Sequence, residues 1–130
     1  MKKTRVAVVG YGNVGKCALD TVLTEPDMEL GGIIEVPQVI SKNCPRDDRD
    51  PKPLPHIPMV SDIKELDAID VAILSCPSRV VRETAVKILS RGVRTVDSFD
   101  IHTEIPALRK ELDVIAKAHK SVAKIGRAHV

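Results

Sequence analysis

Val6-Ala7-Val8-Val9-Gly10-Tyr11-Gly12-Asn13-Val14-Gly15 carries the strongest structural signal of the chain. An apolar, β-branched run feeds a Gly-x-Gly-x-x-Gly motif, and an apolar-periodic stretch from Val14 to Leu23 leaves it. A lone glycine motif says little, but here strand, turn and helix follow one another as phosphate binding requires. Each glycine has its own task. Gly10 permits the tight turn out of the strand, Gly12 lets the backbone approach a pyrophosphate, and Gly15 lets the helix pack close to the strand. The phosphates then sit on N–H groups at a helix N-terminus, where the dipole favours anions. A Gly-rich turn that binds nothing is the plainer alternative. The agreement of strand, spacing and helix favours a dinucleotide-binding domain.

Working outward, the whole chain fits one such domain. Its 130 residues match a single domain. A 43% hydrophobic share with 2% aromatics means a core of Val, Ile, Leu and Ala. With 20 basic and 18 acidic side chains the net charge is +2, too balanced to predict nucleic acid or a membrane surface as partner. Cys17, Cys44 and Cys76 are odd in number and form no Cys-x-x-Cys pair. They read as reduced thiols and not as a disulfide framework or metal site. No leader-like segment and no long apolar span is evident, so a cytoplasmic location is expected.

Strands and helices alternate along the chain. Strands are predicted at Arg5–Val9, Leu30–Glu35, Val71–Leu74 (fully buried by composition) and Val93–Val96, with stubs at Met59–Val60 and Val122–Ala123. Helices are predicted from Gly12 to Thr24 (ended by Pro26), from Ser78 to Arg91 (stopped by Gly92), and beyond Thr103, which is placed to cap the last one. Ser61 to Leu66 reads as a helical turn. Residues 36–58 contain Pro37, Pro45, Pro51, Pro53 and Pro55 and read as a long surface loop. Alternating βαβ units predict an α/β fold with a doubly wound parallel sheet, the Rossmann NAD(P)-binding architecture, incomplete at its C-terminus.

Ligands of such a sheet lie outside the carboxyl ends of its strands. Three segments fall there: the glycine loop, Ser75-Cys76-Pro77-Ser78, and Asp97-Ser98-Phe99-Asp100-Ile101-His102. Loop and capping chemistry alone accounts for many Asp residues at such positions. His102 reads as a loop or cap residue, and Cys76 as packing, because nothing beside it predicts a depressed thiol pKa. Asp100 is the strongest functional candidate.

These segments, together with Pro26-Asp27-Met28-Glu29-Leu30, resemble the N-terminal half of meso-diaminopimelate dehydrogenase. The resemblance runs from about Lys3 to Ala123 and is weakest in the Pro-rich loop. It implies reversible oxidative deamination at the D-centre of meso-2,6-diaminopimelate, a step of lysine biosynthesis. Hydride passes to the nicotinamide C4, and the resulting imine hydrolyses to L-2-amino-6-oxopimelate and ammonia. The cofactor implied is NADP, with a small-molecule substrate and a homodimeric parent. By the same resemblance Tyr11, Gly12, Asn13, Val14, Ser75, Cys76, Pro77, Ser78, Ser98, Phe99 and Asp100 line the cofactor. Asp100 also holds the substrate's D-amino group, a role suited to a carboxylate facing an ammonium.

Two departures stand out. Family members that use NADP carry arginines just after the second strand, where this chain reads Glu35-Val36-Pro37. A carboxylate about twenty residues past the glycine motif suits a ribose 2′-hydroxyl, which keeps NAD open as the alternative cofactor. Glu35 also fits a plain solvated strand end, and Lys42, Arg46, Arg49 and Lys52 in the loop offer compensating charge. The other departure is the tail. Ile125-Gly126-Arg127-Ala128-His129-Val130 is the peptide that a common DNA sequencing adapter encodes in one frame before a stop codon. Residues 1–124 are therefore expected to form the domain and residues 125–130 a non-native tail on a truncated, inactive piece. Two alternatives stay open: another amino-acid-linked dehydrogenase such as diaminopentanoate dehydrogenase, and a non-catalytic nucleotide-sensing Rossmann module. Homoserine dehydrogenase is disfavoured by the segment from Asp97 to His102.

Overall fold

The computed structural model describes residues 2–40 and 57–125. The apolar run forms β1 (Thr4–Val9), and Gly10, at φ +92°, turns the chain toward α1 (Asn13–Thr24). There follow β2 (Met28–Ile34), the single-turn α2 (Pro37–Ile40), β3 (Met59–Val60), β4 (Val71–Leu74), α3 (Ser78–Leu89), β5 (Arg94–Asp97), α4 (Ile105–Ala118) and β6 (Ala123–Lys124). All pairings are parallel, in the order β3-β2-β1-β4-β5-β6. The chain builds outward from β1 on one side and then returns to build outward on the other. The switch point thus falls between β1 and β4, where such sheets open a crevice at their carboxyl ends.

The main core lies under α3 and α4, where Val81, Ala85, Leu89, Leu108 and Leu112 close over Ala7, Ala72 and Leu74. A smaller cluster joins Tyr11, Leu19, Ile33 and Ile57 on the α1 side. The predicted full burial of β4 is corrected. Ala72 and Leu74 are 0% and 1% exposed, but Val71 and Ile73 are only half-buried. Their face belongs to α1, which packs mainly on β1 and β2. The same face leaves Val96 and Val122 exposed, at 40% and 59%.

Two local readings change and a third is borne out. The loop predicted from Val36 carries α2, with Pro37 at its first position, where a missing N–H costs no helical hydrogen bond. The rest of that loop, with Lys42, Arg46, Arg49 and Lys52, lies outside the described residues. Thr103 does not cap α4. It sits inside a 3-10 turn, His102–Glu104, and α4 starts at Ile105 with Pro106 in its first turn. The turn predicted near Ser61 is a 3-10 turn, Ile63–Glu65, closed by a capping box from Asp62 and Glu65. Of the expected tail, Ile125 packs against the main core; residues 126–130 lie outside the described residues.

Candidate dinucleotide site

A cavity of about 490 Å³ opens at the carboxyl ends of β1, β2, β4 and β5. The glycine loop forms one wall with Gly12, Asn13 and Val14. Its shape is set by close backbone approach. A Cβ at Gly10 would stand 3.0 Å from the Ser75 carbonyl oxygen, and one at Gly15 would collide with the carbonyl oxygen of Gly10. Gly12 differs, since a Cβ there meets nothing within 4 Å. It occupies the N-cap of α1 and offers no side-chain cap to the first-turn amides. An uncapped helix start beside open space is a fitting cradle for phosphate oxygens.

Glu35 follows β2 and lines the cavity. Its Oε2 accepts from the Tyr11 backbone N–H at 2.6 Å and its Oε1 from the Val36 N–H at 2.9 Å. The carboxylate is therefore tied to the glycine loop. The Tyr11 side chain faces elsewhere: its ring packs with Leu19, Ile33 and Ile57, with Lys16 Nζ 5.5 Å from the ring centre.

Ser75, Cys76, Pro77 and Ser78 form the opposite wall, where β4 hands over to α3. Burial pushes the Cys76 thiol pKa up, and the Asp97 and Glu35 carboxylates push it further the same way. A thiol held protonated is a packing group and a poor nucleophile. Ser78, at the start of α3, donates from Oγ to Asp100 Oδ1 at 2.6 Å and accepts from the Asp100 N–H at 3.2 Å.

Ser98 and Asp100 complete the lining from the segment after β5. Phe99 is buried in the main core, and His102, in its 3-10 turn, does not line the cavity. Asp97 is buried and accepts from the Phe99 N–H at 3.0 Å, the loop chemistry anticipated for it. The lining carries two carboxylates and, among the described residues, no lysine or arginine. Each lining residue belongs to a segment singled out from the sequence. The Ser78–Asp100 bracket and the Glu35–Tyr11 contact were not anticipated, because no periodic signal links positions so far apart.

A parallel sheet switching direction beside an uncapped glycine loop defines a Rossmann-type dinucleotide-binding domain of the dehydrogenases. No protein-family model matches the chain. Over nearly all of its length it is homologous to the N-terminal part of the meso-diaminopimelate D-dehydrogenases. It is 45% identical over 125 residues to the one from Bacteroides fragilis, covering 96% of this chain and 39% of that protein. It is 32% identical to the one from Corynebacterium glutamicum, covering 96% of this chain and 36% of that protein. The chain thus spans well under half the length of these relatives. Among solved structures it matches C. glutamicum DAP dehydrogenase in complex with DAP, at TM-score 0.70 and 32% identity over 95% of this chain and 35% of that one. An engineered D-amino acid dehydrogenase bound to NADP+ matches at TM-score 0.70 and 30% identity, over 96% of this chain and 37% of that one.

Proposed function

We propose that residues 1–124 are the dinucleotide-binding domain of an NADP-dependent meso-2,6-diaminopimelate dehydrogenase. In this reading the first-turn amides of α1 receive the pyrophosphate, with Gly12 giving it room, and Ser75 to Ser78 and Ser98 border the rest of the dinucleotide. Bound there, the nicotinamide supplies a hydride acceptor. Asp100 receives the substrate's D-amino group, since one of its oxygens is engaged by Ser78 and the side chain is otherwise exposed to the cavity. A carboxylate held in one orientation aligns an ammonium and with it the adjacent Cα–H. A homodimer is in keeping with the resemblance, and a cytoplasmic location with the lack of a leader-like segment in the sequence.

The observation that carries this reading is the meeting of the glycine loop and Asp100 on one cavity. An enzyme of the relatives' length that begins with this chain is expected to reduce NADP+ only when meso-2,6-diaminopimelate is added. Reduction with 2,4-diaminopentanoate and none with diaminopimelate would overturn the substrate. The 130-residue chain alone is expected to bind nucleotide without turnover, because Asp100 is the one side chain assigned to the substrate and it cannot fix the reacting carbon by itself.

A further inference from the structure

The lining of the cavity is unusual for a site that takes a dinucleotide bearing a third phosphate. Glu35 is a carboxylate fixed in place, with Oε2 on the Tyr11 N–H at 2.6 Å and Oε1 on the Val36 N–H at 2.9 Å. The described lining around it contains no lysine or arginine, and its other carboxylate is Asp100. The residues that follow Glu35 are Val36 and Pro37, neither of which carries charge. A ribose 2′-hydroxyl can donate a hydrogen bond to such a carboxylate, whereas a 2′-phosphate brings a second anion to it. The two amides holding Glu35 also keep it from swinging clear without giving up two hydrogen bonds.

We infer that Glu35 is a specificity-determining residue of this chain, a fixed carboxylate that weakens binding of the 2′-phosphorylated dinucleotide and makes NAD+ a second usable cofactor. The inference rests on the dinucleotide reading above. It separates two roles of Glu35, its charge and its hold on the glycine loop. Glu35→Gln removes the charge and keeps an oxygen acceptor for the Tyr11 N–H. Glu35→Ala removes both.

The test is equilibrium binding of NAD+ and of NADP+ to the 130-residue chain and both variants, with thermal unfolding followed in parallel. The wild-type chain is expected to bind the two dinucleotides within tenfold of each other. Glu35→Gln is expected to shift the ratio toward NADP+ by tenfold or more, by tightening NADP+ and weakening NAD+. Glu35→Ala is expected to weaken both dinucleotides together through the loosened loop. If Glu35→Gln binds both dinucleotides with the wild-type ratio, this inference alone falls. If no protein binds either dinucleotide, the dinucleotide reading falls and takes this inference with it.

Discussion

On the β1 side of the cavity the glycine loop presents backbone, with Gly10 and Gly15 in close main-chain contact and Gly12 beside open space at an uncapped helix start. On the β4–β5 side Ser78, Ser98 and Asp100 present side chains. The first wall is shaped by what is missing from it, since a single added carbon at Gly15 meets main-chain atoms that cannot move aside. The second is shaped by rotatable groups, held by contacts such as Ser78 with Asp100. The backbone wall should therefore fail abruptly on substitution and the side-chain wall by degrees. Under the proposed function, recognition of phosphate belongs to the first and recognition of the reacting group to the second.

The sharpest way to break this contrast is Gly15→Ala. Forcing a Cβ against the Gly10 carbonyl should cost about 3 kcal/mol in urea unfolding, the upper end of overpacking penalties. Dinucleotide affinity should fall with it; a variant as stable as wild type would show that the wall is more pliant than its contacts imply. Asp100→Asn comes next. In an enzyme of the relatives' length it should leave the melting temperature unchanged and weaken productive diaminopimelate binding by about 1.5–3 kcal/mol, as expected for a lost hydrogen bond to a charged group. An unchanged kcat/KM would remove Asp100 from the site. Ser78→Ala should cost roughly 1 kcal/mol of the same quantity, with Ser78→Thr restoring it. An equal loss in both variants would show that Ser78 matters for packing alone.

The smallest effect belongs to Cys76. Its pKa is raised by burial, so the folded protein keeps the thiol proton at pH values where the unfolded chain has lost it. Stability from this group is therefore present below the ordinary thiol range and declines as pH rises above it. Alkylation near neutral pH should label the exposed Cys17 well before Cys76. Faster labelling of Cys76 would point to an activated thiol instead.

The backbone wall was legible in the sequence because its signal is local: a strand, three spaced glycines and an apolar-periodic helix within a short run. The strands β1, β4 and β5 and the helices α1 and α3 fell within a few residues of their predicted ends for the same reason. The side-chain wall was legible only as segments. That Ser78 grips Asp100, 22 residues later, depends on β4 and β5 lying side by side, which no local pattern encodes. The half-burial of Val71 and Ile73 was hidden too, since composition does not say which strands α1 covers. Thr103 shows the limit of capping rules. It has the side chain of a good N-cap, but the 3-10 turn His102–Glu104 carries it past that position. Pro37 misled in the opposite sense, because a proline that ends most helices also starts one well.

Gly12 is where a dinucleotide held in the cavity beside the glycine loop should be most sensitive to substitution. Gly12 has φ −85°, open to any residue, and a Cβ there meets nothing within 4 Å. Gly12→Val should therefore still fold, losing only the preference of an N-cap for glycine over valine, while placing a branched side chain where phosphate oxygens are expected. Calorimetric titration of NADP+ into the wild-type chain and this variant, well below the melting temperature of each, should show one site in the first and at least a tenfold weaker one in the second. Equal affinity in the two would mean that the glycine loop does not hold the phosphates.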